Sequence, residues 1–311
     1  MTGMKADDEL RFSLCTCFQG RINSLHETAA DLRAQTDQGF EWIIVGDQGV
    51  DGFQETVGTL RAKAAFPIYL IDEKCRGGHI AVNKAVGKAR GLFFILLPDD
   101  ARLVTGALEC MWYHWNTIPS EERSYYVAVS GVADNQDGSP AGNRFPSSPF
   151  DSNNIEVSTY YGVASPKYGC ILTTVLQTYP FPVFDGESFV PFELILNRIG
   201  NTALTRYVNE TFAVMSPDDA GTSGNEKLRW IQNPRASALY YNEFTGYRIP
   251  LVHRIRACLQ YIRFSMHAGV IPDEIYRQAK RKIITFFMLW PGLFLYRRDK
   301  RSVGVAVREE E

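Results

Sequence analysis

Residues 12–52 read FSLCTCFQGRINSLHETAADLRAQTDQGFEWIIVGDQGVDG, and this stretch decides the fold. It places an apolar run, an amphipathic stretch from Leu25 to Gln35 and a second apolar run in succession, which is the pattern of a strand, a helix and a strand. Further apolar runs follow at PIYLID (residues 67–72) and LFFILLPDD (residues 92–100). Strands that alternate with helices predict an α/β protein with a mostly parallel central sheet flanked by helices.

Composition excludes several classes of function. The 311 residues are 45% hydrophobic and 22% charged, as in an ordinary globular protein. A formal net charge of -2 gives no basic field of the kind that binds nucleic acid, so we expect no nucleic-acid partner. The six cysteines form no CxxC pair, which predicts a reducing compartment without a zinc site. The polar start of the chain lacks the apolar core of a secretory signal, and we expect a cytoplasmic protein.

Acidic residues follow the apolar runs. Asp47 follows the second run, Asp72 and Glu73 the third, and Asp99 and Asp100 the fourth. Ligands of open α/β sheets bind at the carboxyl ends of the strands, so these side chains are candidates for a site. Adjacent carboxylates there suit Mg²⁺ or Mn²⁺, which prefer oxygen ligands. The Asp-Asp pair alone also fits a solvated helix cap, because Asp favours that position.

The stretch 12–52 and GGHIAVNKAVGKARGLFFILLPDD (residues 77–100) resemble family 2 glycosyltransferases. Members of that family open with an apolar strand, a Thr-Tyr-Asn-like turn, a helix and FEWIIVDDGSTDG, and continue with a small-residue helix and a strand ending in a DxD-type metal motif. The resemblance covers about residues 11 to 110 and implies a GT-A (nucleotide-diphospho-sugar transferase) fold. It also implies inverting transfer of a sugar from a nucleotide-diphosphate donor, with a UDP-sugar favoured, to a hydroxyl acceptor in polysaccharide biosynthesis.

The resemblance assigns roles to particular residues. Asp47 corresponds to the acid that contacts the base or ribose of the donor, and Asp99, with help from Asp100, to the ligand of the metal on the diphosphate. The complete set expected to contact the nucleotide-sugar is Thr16, Phe18, Gln19, Asp47, Gln48, Arg76, Asn83, Pro98 and Asp99.

Two positions depart from the family pattern. The first acid of the usual DxD falls on Leu97, and the first acid of the usual Asp-Asp-Gly falls on Gly46. These losses motivate a second interpretation, in which the chain is a catalytically impaired GT-A domain that binds a sugar-nucleotide or a partner without transfer.

The general base is sought in FDGESFVPFELILNRIG (residues 184–200), which resembles a block on the acceptor side of the family's active site. One carboxylate within reach of the acceptor hydroxyl suffices for an inverting displacement. Glu193 is the candidate base, with Asp185 and Glu187 as alternatives. The alternative is that Glu193 has a structural role and pairs with Arg198 on a helix.

The resulting organisation has a catalytic domain over residues 10–224 and a C-terminal helical extension over residues 225–311. The catalytic domain comprises a nucleotide-sugar-binding half (10–117) and an acceptor half (118–224). Composition rich in Ser, Asn, Asp, Gly and Pro predicts a long loop between about Pro119 and Tyr160. The polar segment from Asn225 to Phe244 is predicted to be irregular.

The segment KRKIITFFMLWPGLFLYRRDKR (residues 280–301) sets an apolar run between two basic clusters. It fits either a final helix docked on the core or peripheral contact with an anionic membrane. The apolar run is interrupted by Pro291-Gly292 and is shorter than the roughly 20 residues that cross a bilayer. Membrane contact suits a glycan or lipid-linked acceptor at the inner face of the cytoplasmic membrane.

Overall fold

The computed structural model describes residues 10–18, 20–73, 77–97, 101–163, 165–215 and 223–309, the last range with side chains from Lys227 to Arg301. Among these residues, nine strands form one sheet: β1 Phe12–Cys17, β2 Phe40–Gly46, β3 Ile68–Asp72, β4 Phe93–Leu97, β5 Ala101–Leu103, β6 Tyr126–Asp134, β7 Phe150–Ser152, β8 Lys167–Leu172 and β9 Leu204–Met215. The helices are α1 Ile22–Arg33, α2 Phe53–Lys63, α3 Gly78–Lys88, α4 Ala107–Asn116, α5 Asn154–Thr159, α6 Thr173–Thr178, α7 Phe192–Gly200, α8 Ser223–Gln232, α9 Pro234–Gly246, α10 Leu251–His267, α11 Pro272–Gln278 and α12 Lys282–Glu309.

The first four strands form the parallel part of the sheet, in the order β3-β2-β1-β4. Every residue of β2 is buried, as expected of a parallel strand covered on both faces. Helix α1 places Leu25, Ala29 and Leu32 on one buried stripe because they lie about one helical turn apart. The strand and helix alternation expected from residues 12–52 is therefore present, and the α/β fold class is confirmed.

Beyond β4 the sheet is mixed. β8 runs antiparallel to both β4 and β6, β6 and β9 are parallel, and β5 and β7 are each antiparallel to β9. The parallel pairing that the sequence predicts is therefore found throughout β1 to β4 and again between β6 and β9, while the other pairs are antiparallel. The physical reason is that parallel neighbours need long crossover connections, and the regular alternation with helices ends after β4.

The predicted long loop between Pro119 and Tyr160 contains β6, which lies between β8 and β9 in the sheet. That expectation is wrong for Tyr126–Asp134, whose sequence YVAVSGVAD is buried at seven of nine positions. Small residues lower the apparent hydrophobicity of this strand. Gly131 is one of them, and a Cβ there would lie 2.5 Å from the backbone oxygen of Glu210 on β9.

The described chain divides into two compact units. The first comprises the residues up to Phe181 together with those from Arg198 to Met215, and its core holds the large buried side chains of the sheet, including Phe12, Phe40, Trp42, Phe93 and Phe212. The second comprises Pro182–Asn197 and the residues from Ser223 onward.

The second unit is helical. Its core is formed by residues of α9, α10 and α11, with Trp230 of α8 and Met288 of α12 packed against them. The segment from Asn225 to Phe244, predicted to be irregular, forms most of α8 and α9, so that prediction is wrong. Pro234 occupies the start of α9, where the missing N–H of proline is tolerated.

Candidate functional site

The carboxyl ends of the four parallel strands meet at one edge of the sheet. The register pairs Cys17 with Val45, Gly46 with Asp72, and Thr16 with Leu97, so that β1, β2, β3 and β4 end at the same level. The polar residues that follow these strands are thereby brought together, as the sequence predicts.

Asp47 and Gln48 follow β2 in a fixed turn. Oδ1 of Asp47 accepts a hydrogen bond from the N–H of Gly49 at 2.8 Å, which orients the half-buried carboxylate. The N–H of Gln48 donates to Oδ1 of Asp72 at 3.1 Å, and the Oε1 of Gln48 accepts from Nε2 of Gln54 at 2.7 Å. Two of the predicted donor-binding residues thus lie on a preorganised polar edge.

Asp72, Glu73 and Lys84 complete this edge, although none of them is in the predicted set of donor contacts. The N–H of Glu73 donates to the carbonyl of Gly46 at 3.0 Å, and the Glu73 carboxylate forms an ion pair with the Lys84 ammonium from α3. Asp72 and Glu73 can be found from the sequence, because they are polar residues at the end of an apolar run. Lys84 carries no such signal, because only the packing of α3 against the sheet brings it next to Glu73.

Gly46 stands where the family resemblance places an acid, and the packing around it leaves no room for a larger side chain. The rings of Phe18 and Phe53 stack beside it, with centroids 4.4 Å apart. A Cβ on residue 46 would lie 2.6 Å from Cζ of Phe53 and 3.0 Å from Cβ of Phe18. The aromatic pair therefore fills the space that an aspartate side chain would need.

Three of the predicted donor contacts are engaged by contacts within the fold. Thr16 is 1% exposed and its hydroxyl accepts from the Trp42 indole at 3.0 Å, while Phe18 is 3% exposed. The amide of Asn83 donates to the carbonyl and accepts from the N–H of Phe181, both at 2.9 Å. These contacts support the fold, and contact of the three residues with the donor stays a prediction.

The remaining predicted donor and metal residues, Gln19, Arg76, Pro98, Asp99 and Asp100, lie outside the described residues. Leu97, which replaces the first metal-motif acid, is 8% exposed and belongs to the core of the first unit. Across the described part of the chain, no group of three His, Cys, Asp or Glu side chains is placed to hold a metal ion.

The candidate bases lie in the second unit. Glu187 is buried, and its carboxylate accepts from the N–H groups of Arg235 at 2.7 Å and Ala236 at 2.9 Å. These bonds satisfy the free N–H groups at the start of α9, and the negative charge suits that end of the helix dipole. Glu187 therefore anchors α9, and each of its two oxygens is engaged by an N–H group of that helix.

Asp185 and Glu193 have exposed side chains. Asp185 lies in a turn with Gly186, and its backbone carbonyl accepts from Arg235 at 2.6 Å. Glu193 lies in the first turn of α7. Burial raises the pKa of Tyr240, and the negative charge of Glu193 adds to that rise.

The sequence of the first unit matches a known family. Residues 13–136 match the family model described as glycosyl transferase family 2. This match confirms the resemblance found in residues 12–52 and 77–100, and it identifies a glycosyltransferase. No protein with a curated description matches the chain in sequence.

Solved structures share the fold. The crystal structure of residues 1–349 of TarS from S. aureus with UDP is 13% identical, has a TM-score of 0.58, and covers 97% of this chain and 92% of that chain. The same fragment with UDP-GlcNAc is also 13% identical, with a TM-score of 0.54 and the same coverage. Mannosyltransferase PcManGT from Pyrobaculum calidifontis, in complex with GDP-Man and Mn²⁺, is 14% identical, with a TM-score of 0.54, 93% of this chain and 86% of that chain covered. These likenesses show the GT-A fold.

Proposed function

Because residues 13–136 are those of a family 2 glycosyltransferase, we propose that the protein transfers a sugar, with inversion, from a nucleotide-diphosphate donor to a hydroxyl acceptor. The observation that carries the proposal is the coincidence of the family match with the polar edge at the carboxyl ends of β1 to β4. Asp47, Gln48, Asp72 and Glu73 lie there, where α/β sheets bind their ligands.

We propose Asp47 as the residue that holds the base or ribose of the donor. The carboxylate is oriented by Gly49 and half-buried, so an incoming hydroxyl or N–H group meets an acceptor that is already in place. TarS structures hold UDP and UDP-GlcNAc, and PcManGT holds GDP-Man. The UDP-sugar remains the donor we favour.

Mg²⁺ or Mn²⁺ is the proposed cofactor, and the solved PcManGT complex contains Mn²⁺. The ligands proposed here are Asp99 and Asp100, which directly follow Pro98 after β4. Leu97 is apolar and packed in the core, so the donor set is smaller than in the usual DxD motif. The cation would neutralise charge on the leaving diphosphate.

Glu193 is the proposed general base, with Asp185 as the alternative. Both carboxylates are exposed, whereas Glu187 is buried and bonded to the start of α9. An exposed carboxylate accepts the proton of an acceptor hydroxyl without breaking a bond of the fold. The proposed acceptor is a glycan or a lipid-linked molecule, and the proposed location is the cytoplasm, at the inner face of its membrane.

A second candidate function is a catalytically impaired domain that binds a sugar-nucleotide or a partner. The filled space beside Gly46 and the buried Leu97 favour it, because both remove an acid that the family uses. Turnover separates the two functions: an impaired domain binds the donor and neither transfers nor hydrolyses it.

The experiment that tests the proposed function combines binding and turnover. Thermal-shift measurements with UDP-, GDP- and other nucleotide-sugars, each with and without Mn²⁺, identify the donor because a ligand that binds only the native state raises the melting temperature. Release of the nucleotide diphosphate from the identified donor then measures hydrolysis or transfer. Stabilisation with release supports the transferase, and stabilisation without release under all acceptors supports the impaired domain. No stabilisation by any nucleotide-sugar contradicts the transferase and leaves only a domain that binds a partner.

A further inference from the structure

Helix α12 turns an apolar face to solvent. Five large side chains on it are exposed: Ile283 (77%), Phe286 (60%), Phe287 (67%), Trp290 (77%) and Phe294 (66%). They lie at positions i, i+3, i+4, i+7 and i+11, the pattern that places side chains on one side of a helix. A surface helix of a globular protein ordinarily carries polar residues on that side. The apolar stretch from Ile283 to Phe294 is about 16 Å long, at about 1.5 Å per residue.

The opposite face of α12 is fixed to the second unit. Thr285 is 1% exposed, Asp299 is fully buried, and a Cβ on Gly292 would lie 2.6 Å from Cγ2 of Ile262 on α10. The Asp299 carboxylate accepts from Nε of Arg263 on α10 at 2.5 Å. Because close packing and a buried ion pair hold this face, α12 cannot rotate to bury its aromatic side chains.

The exposed charges within residues 280–301 themselves are of one sign. The exposed charged side chains from residue 280 to residue 301 are Lys280, Arg281, Lys282, Arg297, Arg298, Lys300 and Arg301. The only acid in that segment is Asp299, which is fully buried and engaged by Arg263. The apolar face is thus bordered at both ends by cations, with no exposed carboxylate among them.

We propose that this face of α12 lies on the surface of an anionic lipid bilayer, with its aromatic side chains among the headgroups and its terminal cations on lipid phosphates. Charge complementarity and the apolar face together select this partner, because amphipathic helices with basic residues bind interfaces in this way. No helix within the described residues is long and apolar enough to cross a membrane, so the contact is peripheral. The proposal deepens the proposed membrane location, and because binding requires no catalytic step, vesicle binding tests it separately from the proposed sugar transfer.

The test is co-sedimentation of the full chain with vesicles of phosphatidylcholine alone and of phosphatidylcholine with phosphatidylglycerol. We expect binding to the anionic vesicles, weaker binding to the neutral ones, and release by salt. The double variant Phe287→Ser, Trp290→Ser should lower partition onto anionic vesicles about tenfold or more. Arg297→Gln with Arg301→Gln should reduce the preference for anionic over neutral vesicles.

Matched controls separate this surface from general stickiness. Tyr113→Ser with Tyr125→Ser removes two comparably exposed aromatic rings from the first unit, and Arg33→Gln with Lys63→Gln removes two exposed cations there. Both controls should bind like the unmodified chain, and all variants should keep its melting temperature. Unchanged binding by the Phe287, Trp290 variant would overturn the proposal. Failure of the unmodified chain to bind anionic vesicles would also overturn the proposal. So would the finding that the unmodified chain does not bind lipid but forms a dimer through this face, which the Phe287→Ser, Trp290→Ser variant dissociates.

Discussion

Phe18 and Phe53 stack with their ring centroids 4.4 Å apart and an interplanar angle of 18° at the end of β2. The pair lies against the backbone of Gly46, where related enzymes have an acid. An acid at this position would therefore require a change of packing at the edge of the sheet. Asp47, the next residue, remains oriented by its bond to Gly49.

The aromatic pair predicts the effect of restoring the acid. Gly46→Asp should lower the free energy of unfolding by about 1–3 kcal/mol, because its Cβ would overlap Phe53. Phe53→Leu in the same chain should recover part of that loss by opening space. Urea unfolding of the two variants measures both effects, and a Gly46→Asp variant as stable as the unmodified chain would contradict the packing argument.

Asp47→Ala should weaken donor binding by about tenfold or more, because a charged acceptor is lost from an edge that is already in place. Titration of the donor, followed as Kd and as donor KM, checks this. Asp51→Ala is the matched control, since Asp51 is an exposed acid four residues away. Equal donor affinity in both variants would remove Asp47 from the site.

Asp99→Ala should abolish transfer, by about 10²-fold or more, while the melting temperature stays unchanged. The reason is that the proposed metal ligand acts on the leaving diphosphate and not on folding. Activity over a Mn²⁺ series provides the measurement, with Asp100→Ala alongside. Normal turnover in the Asp99 variant would show that the metal assignment is wrong.

Glu193→Gln should cut kcat by about 10²-fold or more and leave donor affinity intact, since a general base acts on the acceptor proton alone. Glu187→Gln should instead lower the melting temperature, because that carboxylate holds two N–H groups at the start of α9. Parallel kinetics and melting curves distinguish the two. Full activity in Glu193→Gln would pass the role to Asp185.

The free energy of unfolding should decrease in two stages as the pH is lowered, the first from His267 and the second from Asp299. Burial lowers the pKa of His267 below its ordinary 6.5, although Asp299 opposes this. As the pH is lowered, His267 therefore binds a proton in the unfolded chain before it does so in the folded chain. Stability declines as pH falls below 6.5 toward the pKa of His267 in the folded chain. Burial would raise the pKa of Asp299, but hydrogen bonds from Arg263 and His267 outweigh it and hold the pKa below 3.8.

The stabilisation from Asp299 is present above its unfolded pKa and is lost as pH falls through the lower folded pKa. Melting temperatures measured from neutral to acidic pH should show both stages. His267→Gln should flatten the first stage and leave the second, and a flat first stage in the unmodified chain would contradict the assignment.

Much of the first unit follows from the sequence because periodicity is local. The apolar runs of β1 to β4 and the stripe of α1 are visible in residues 12–97, and the acids Asp47 and Asp72 are found where their strands end. β6 is not recognised from the sequence because Gly131 and its small neighbours lower the hydrophobicity of that strand. The reason for their small size, close packing against β9, is seen only in the tertiary structure.

The sequence by itself determined the α/β class, the family, the polar edge and the unusual apolar and basic character of residues 280–301. Tertiary structure alone decided which side chains bond to distant partners: Asn83 bonds to Phe181, 98 residues away, and Glu187 bonds to the start of α9. It also decided that α12 turns its aromatic face outward, because Gly292 and Asp299 hold the other face. The physical reason is that chain periodicity is set by neighbours in sequence, whereas the partner of a carboxylate, an amide or a ring is set by packing between distant segments.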